Sequence, residues 1–507
     1  MHGRITISLV ALAAVLLLGF AGVAQQWGGR LVTVPASEIN NLDPFMSGGW
    51  ANRQAKENIF EPLVALDFEG NLEGRVASSW ETSEDGTEII FHIRNGMTFH
   101  DGSDLTAEDV KYSLDRARTP ETGARSWQIL EKITDVTVID PNTIKLTFSA
   151  PDQLFMKQIY NYTMILPSDY TGDHAREPVG SGPFKLVEFT EEHLLLERFD
   201  DYYIEGLPYL DELEFKFIAE ASTKVFQLET GAVDLVKSPP LAQVPELEGN
   251  SDIVLDFGES IEGPVLFFLP VLTMEGSPIG DARVRQALSY SLDRQQIIDV
   301  AFGGSATGST ARGTLVPADD PLYNPDQMTY ERDVTEAKRL LAEAGYPDGV
   351  ELDFYPLFRF PEDDAAATII QQNAAEAGIT LNTARMDVPT WVSALKNLEL
   401  ELPFSTTYSM PGAYEQMYMI QGRMHSGYID LQNYDPVFYD RFAAAAGIAD
   451  KDEFEAEVME LQRISAENQY VIVVGDIPTV FAMRTYVKNF RSQAVGSMYY
   501  RQVWIEK

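Results

Sequence analysis

Cysteine is absent from all 507 residues, and that excludes several chemistries at once. Without thiols the chain has no disulfide and no zinc–thiolate site. It also lacks the cysteine at which a bacterial lipoprotein signal is acylated. Histidine is scarce: His2, His92, His100, His174, His193 and His425 are the whole set, and none belongs to an H-E-x-x-H pattern. His100-Asp101 is the best local metal pair, set against the plainer reading of a polar hairpin end. Positive charge is also short. There are 38 Lys and Arg against 77 Asp and Glu, for a formal charge of −39. Removing residues 1–24, which hold one Arg and no acid, takes it to −40. Such a surface repels nucleic acid and keeps the protein in solution.

Catalytic signatures are missing as well. GGSATGSTARG, from Gly303, lacks the Gly-Lys-Ser ending of a phosphate loop, lacks G-x-G-x-x-G spacing and follows a helix, so it reads as a connection. No G-x-S-x-G elbow occurs, and Asp363-Asp364 reads as a helix start. No catalytic residue, metal ligand or cofactor is assigned. A hydrolase with scattered catalytic residues stays open as an alternative.

What is present begins with MHGR followed by ITISLVALAAVLLLGFAGVA, a basic start and an apolar run with Gly22 and Ala24 before Gln25. Residues 1–24 are expected to be an export signal, cleaved to release a product into the periplasm that is not a lipoprotein. An uncleaved anchor is the other reading, since the run is about long enough to span a bilayer. No comparable run follows. With 507 residues, 45% hydrophobic, the chain builds two or three units.

Periodicity supplies the elements. Ile89, Phe91 and Ile93 alternate with polar residues before Asn95-Gly96, and Phe99 begins a return, so a hairpin is expected, then a helix opened by Thr106 and Asp109. VTVID and TIKLTF form strands about Asp140-Pro-Asn, and two more flank Thr190 to His193. ASTKVFQLETGAVDLV is a helix closed near Gly231 and then a strand. GPVLFFLPVL is a continuous apolar run suited to a buried strand. Helices follow: ARVRQALSYSL, DRQQIIDVAFGG, DVTEAKRLLAEAG with Asp333 as cap and Gly345 as stop, and DDAAATIIQQNAAEAG. VELDFYP, ITLNTARM and IPTVFAMRTYV return to strand. The fold class is α/β, with no fixed repeat.

Three segments together carry a resemblance: SEDGTEIIFHIRNGMTFHDGSDLTAEDVKYSLDRA, then PVGSGPFKLVEF continuing to LERFDDYYIEGLPYLDELEFKFIAEASTKVFQLETGAVDLV, then DARVRQALSYSLDRQQIIDVAFGG with EAKRLLAEAGYPDG. They resemble the extracellular solute-binding proteins of family 5, the peptide, nickel and oligosaccharide binders of ABC importers. The resemblance implies a two-lobed periplasmic-binding-protein fold with mixed sheets flanked by helices and a ligand cleft between lobes. Lobe one would gather residues 25–62, 180–263 and 478–507, the family's inserted subdomain residues 63–179, and lobe two residues 264–477. It also implies a monomer that closes on a small ligand and meets ABC permease subunits with their ATPases. A chemoreceptor partner would use the same clamp.

The resemblance places site residues too. In peptide binders an Asp after the strand near Tyr408 anchors the ligand's amine; here Ser409 and Met410 stand at that place and Glu415 is the nearest acid. Arg359 matches the position of an Arg that grips a ligand carboxylate, a task suited to a guanidinium fork. Its alternative is a surface Arg paired with Glu362, Asp363 or Asp364. Trp391, Tyr408 and Tyr414 are walls for a ring or apolar side chain, or else core. Asn40, Asn41 and Trp50 lie where lobe one meets ligand, or else serve turn chemistry.

Overall fold

The computed structural model describes residues 26–46, 50–68, 71–119, 130–152, 155–159, 163–258, 264–303, 312–316, 318, 320–358, 361–408, 429–448, 450–477, 479–492 and 498–506. Its centre is two large sheets. The first has seven strands in the order Ile253–Phe257, Val480–Arg484, Leu235–Lys237, Arg30–Val34, Glu212–Lys216, His193–Arg198 and Phe184–Phe189. Arg30–Val34 runs parallel to both its neighbours, and the remaining pairs are antiparallel. The second has five strands, Ile379–Thr383, Val350–Pro356, Leu402–Tyr408, Pro264–Phe268 and Ile472–Asp476. Its first three are mutually parallel, and Pro264–Phe268 is antiparallel to both its neighbours.

The apolar run around Pro264–Phe268 is a central buried strand, as its composition predicts. Leu266 and Phe268 enter one core with the helices Ala282–Ser291, Arg294–Ala301 and Pro361–Glu376, while Val265 and Phe267 enter another with Phe438, Phe442 and Leu461. A strand buried on both faces needs no polar alternation. Each such side chain is worth roughly 1.5–3 kcal/mol of burial.

A third, four-stranded sheet is wholly antiparallel, in the order Ala77–Thr82, Glu88–Ile93, Thr143–Phe148, Ile133–Asp140. The hairpin between Ile89–Ile93 and Phe99 expected from the sequence is not formed. Both edges of Glu88–Ile93 are already taken by Ala77–Thr82 and Thr143–Phe148, so Phe99 instead makes a tight turn, its N–H donating to Ser103 O at 2.8 Å. The helix Ala107–Ala117 starts as predicted: the Asp109 carboxylate accepts from the Thr106 N–H at 2.8 Å and from its hydroxyl at 2.9 Å. This sheet shares one apolar core with the seven-stranded sheet, joining Phe91, Ile144 and Val110 to Leu31, Leu213 and Phe215.

The motifs that carried the resemblance now have physical reasons. His100 N–H donates to Gly180 O at 2.8 Å, Gly180 N–H donates back to His100 Nδ1 at 3.3 Å, and His100 Nε2 donates to Gly182 O at 3.0 Å. Gly182 N–H in turn donates to Ile59 O at 2.9 Å. A Cβ on Gly182 would lie 2.6 Å from the Ile59 carbonyl carbon, and one on Gly180 would meet Ile59 O well inside contact distance. Thus F-H-D-G and G-S-G-P-F are two halves of one junction. His100 has both ring nitrogens committed to backbone, which removes it as a metal ligand, and burial pushes its pKa down to about 4.

In D-A-R-V-R-Q-A-L and S-L-D-R the exposed Arg283 pairs with Asp281, while the buried Arg285 and Arg294 seek carbonyls, not acids. Arg285 donates to Ile279 O at 2.8 Å, Gly280 O at 2.9 Å and Asn468 O at 2.7 Å, closing the end of the helix Lys451–Asn468. A cation there also suits the helix dipole. Arg294 donates to Val473 O at 2.9 Å and Tyr330 O at 2.7 Å, and burial lowers its pKa to about 10.

Candidate ligand cleft

Strand direction decides where a site can form. Leu235–Lys237, Arg30–Val34, Glu212–Lys216 and Ile253–Phe257 all point the same way, because Val480–Arg484 is antiparallel to the first and last of them. They therefore end at the edge from which Phe257 leads on to the second sheet. In that sheet Pro264 is paired with Tyr408, so Leu402–Tyr408 and its parallel neighbours Val350–Pro356 and Ile379–Thr383 end at the edge that receives the crossing. The return crossing, from Asp476 to Val480, lies beside the first: Gly258 N–H donates to Thr479 O at 2.9 Å. The carboxyl ends of the parallel strands in both sheets thus line one gap bridged by two adjacent crossings, which is where open α/β sheets bind ligands.

On the seven-stranded side, the loop after Val34 is tied down at several points. The Lys224 ammonium donates to Pro35 O at 3.2 Å and Ala36 O at 3.1 Å. Asn52, buried in the helix Trp50–Ile59, accepts from Asn40 N–H at 2.7 Å and Asn41 N–H at 3.3 Å through Oδ1, and its Nδ2 donates to Asn40 Oδ1 at 2.9 Å. Asn41 Oδ1 accepts from Asp43 N–H at 2.8 Å. Both asparagines therefore build the turn, and the Asn40 side chain is also exposed at the strand-end edge. Burial works to raise the Asp43 pKa, yet bidentate hydrogen bonds from Arg116 and one from Phe45 N–H outweigh it and hold the carboxyl low. Lys56 donates to Met46 O at 3.1 Å, and burial lowers its pKa to about 8. Trp50 is the first residue of its helix, with its side chain outside the described residues.

On the five-stranded side, Trp391 is 4% exposed, packs with Leu357, Leu395 and Leu400, and donates from Nε1 to Tyr355 O at 2.9 Å. It supports the strand ends from beneath and offers no free face, so the wall reading gives way to the core reading. Tyr408 closes its strand in register with Pro264, and its side chain lies outside the described residues. Arg359, Ser409, Tyr414 and Glu415, and most of the Gly303 loop, also lie outside them. The structure adds residues that sequence reasoning missed: Asn52, Phe358, and Arg385, whose guanidinium stands 4.0 Å over the Phe358 ring. Among the described residues no group of three or more His, Asp or Glu is placed to hold a metal. No described helix is long and apolar enough to cross a membrane.

The profile of the bacterial extracellular solute-binding proteins, family 5 (middle), matches residues 71–428. A glutathione-binding protein GsiB of Shigella flexneri serotype 5b is 29% identical over 363 residues, covering 70% of each chain. Two solved structures align over nearly everything. One is the binding protein AgaA of A. tumefaciens R10 with agropinic acid, at 26% identity and TM-score 0.82, over 94% of this chain and 99% of that one. The other is the ABC-transporter-associated periplasmic protein DppA of Helicobacter pylori with the peptide STSA, at 25% identity and TM-score 0.82, over 95% and 99%.

The chain belongs to the bacterial extracellular solute-binding proteins of family 5. Substrate-binding proteins of this kind take a small molecule or a peptide and work with the permease and ATPase subunits of an ABC importer, and this chain is one of them. Its relatives are binding proteins.

Proposed function

We propose that the protein captures a small peptide or peptide-like acid in the gap between the two large sheets and presents it, unchanged, to its permease from the periplasm. Lobe one comprises residues 25–62, 180–263 and 478–507, lobe two residues 264–477, and residues 63–179 form the inserted subdomain. The reading is carried by one observation: the strand ends of both sheets converge on a gap bridged by two adjoining crossings. Two such bodies can close on a ligand, and closure follows only if the ligand binds the closed state more tightly. The named ligands of the relatives, glutathione, agropinic acid and a peptide, support an acidic or peptide-like cargo. The signal over residues 1–24 is cleaved and the absence of cysteine leaves no lipid anchor.

Thermal-shift measurements with glutathione, the peptide Ser-Thr-Ser-Ala and neutral oligosaccharides test the cargo class. A ligand at a hundred times its Kd stabilises by about 2.7 kcal/mol. Stabilisation by an oligosaccharide alone would reject the peptide-like reading. Chemical change in a ligand recovered from the protein would favour an exported hydrolase.

A further inference from the structure

Arg385 stands two residues beyond the end of Ile379–Thr383, and Phe358 two residues beyond the end of Val350–Pro356, the neighbouring parallel strand. Both belong to the edge that faces the gap. The Arg385 guanidinium lies over the Phe358 ring at 4.0 Å, and its Nη2 is ion-paired with Asp364 in the first turn of the helix Pro361–Glu376. The support is firm on every side. Phe358 packs on the core of the five-stranded sheet, and Met386 packs on the cluster of Leu357 and Trp391. Ala384 N–H donates to Phe354 O at 3.0 Å, and Asp387 caps the next helix through Thr390 N–H at 2.9 Å.

Arg385 nevertheless remains 65% exposed and Asp364 45%, and among the described residues Arg385 Nε and Nη1 make no hydrogen bond. An arginine fixed by a ring beneath and an acid at one corner, with its other donors turned to solvent, is already ordered for recognition.

We propose that Arg385 and Asp364 together form a recognition site for an α-amino-acid head group, the carboxylate taking the free edge of Arg385 and the ammonium pairing with Asp364. This rests on the ligand-capture reading above. Charge selects the class. A simple anion would meet Asp364, with Glu362 and Asp363 in the same helical turn and Asp387 alongside. A simple cation would meet the guanidinium. A group carrying both charges one carbon apart satisfies both partners while adding no net charge to the edge.

The test is calorimetric titration of wild type, Arg385→Gln and Asp364→Asn with glutathione, N-acetylglutathione and the peptide Ser-Thr-Ser-Ala. Both side chains are exposed, so matching melting temperatures will show that the variants fold. Each variant is expected to weaken glutathione by on the order of tenfold or more, as loss of a charge-paired contact does. N-acetylation should cost wild type a similar factor and cost Asp364→Asn little further. Wild-type affinity for glutathione that survives both substitutions overturns the site and leaves the ligand-capture reading intact. Binding of Ser-Thr-Ser-Ala alone, insensitive to both substitutions, does the same. Failure of every peptide probe to bind wild type rejects both.

Discussion

Arg312 and Asp476 meet as a bidentate ion pair with both side chains buried, Nη2 donating to Oδ1 at 2.5 Å and Nη1 to Oδ2. Asp476 is the last residue of its strand before the return crossing, and Arg312 also holds Thr314 O at 3.0 Å. The pair therefore fastens residues 312–316 to the foot of the return crossing. Removing one partner leaves an uncompensated buried charge, so Arg312→Met should cost about 3–5 kcal/mol. Arg312→Met with Asp476→Leu should recover most of that. Urea denaturation of the two variants decides, and a double variant less stable than the single would contradict the account.

His100 gives a pH dependence whose sign follows from its bonds. The neutral ring uses Nδ1 as an acceptor from Gly180 N–H, so protonation at Nδ1 breaks the junction. With the folded pKa near 4 and the free value near 6.5, the unfolded chain binds the extra proton first. The contribution is complete above pH ~6.5 and is lost as pH falls towards ~4, by on the order of 2–3 kcal/mol. Denaturation curves for wild type and His100→Gln should converge over that window. Parallel curves would show that His100 does not titrate there.

Gly180 and Gly182 admit no side chain beside the Ile59 carbonyl. Gly182→Ala is expected to lose more than about 2 kcal/mol through forced separation of the junction. Limited proteolysis should then release fragments within residues 63–179 before either large sheet is cut. Wild-type protease resistance would disprove the close approach.

Trp391 separates packing from ligand contact. Trp391→Ala should destabilise by about 3–5 kcal/mol, as loss of a buried aromatic does. Trp391→Phe should retain ligand affinity within about threefold, because the indole meets protein on its faces and Tyr355 O at its edge. A large loss of affinity in a stable Phe variant would return Trp391 to the cleft wall.

Local chemistry was readable from sequence wherever a single segment sufficed. Asp333 caps its helix through Thr335 and Glu336 N–H at 2.9 Å, and Gly345 follows at φ +98° where a stop was expected. The Glu336 side chain turns to Arg339, and the Asp333 N–H donates to Tyr290 O at 2.9 Å. Partner choice was not readable. Glu88–Ile93 has the alternation of a hairpin arm, yet its neighbours come from Ala77–Thr82 and Thr143–Phe148. The same holds at the cleft. Asn40 and Asn41 announce a turn, but Asn52 sits in a helix with nothing local to mark it. Arg385 gains meaning only beside Phe358, which a parallel register brings next to it.

Two of the buried arginines in the five-stranded half carry a further consequence. Arg285 and Arg294 are held mainly by peptide carbonyls, together with the hydroxyls of Tyr434 and Ser289. A carbonyl has no proton to gain, so acid cannot strip these contacts as it strips a carboxylate. In a chain with 77 acids, the joints that Arg285 and Arg294 make keep their strength while the surface loses its charge. Acidification would then erode the outer ion pairs and the His100 junction first, and leave the joints made by Arg285 and Arg294 standing after them.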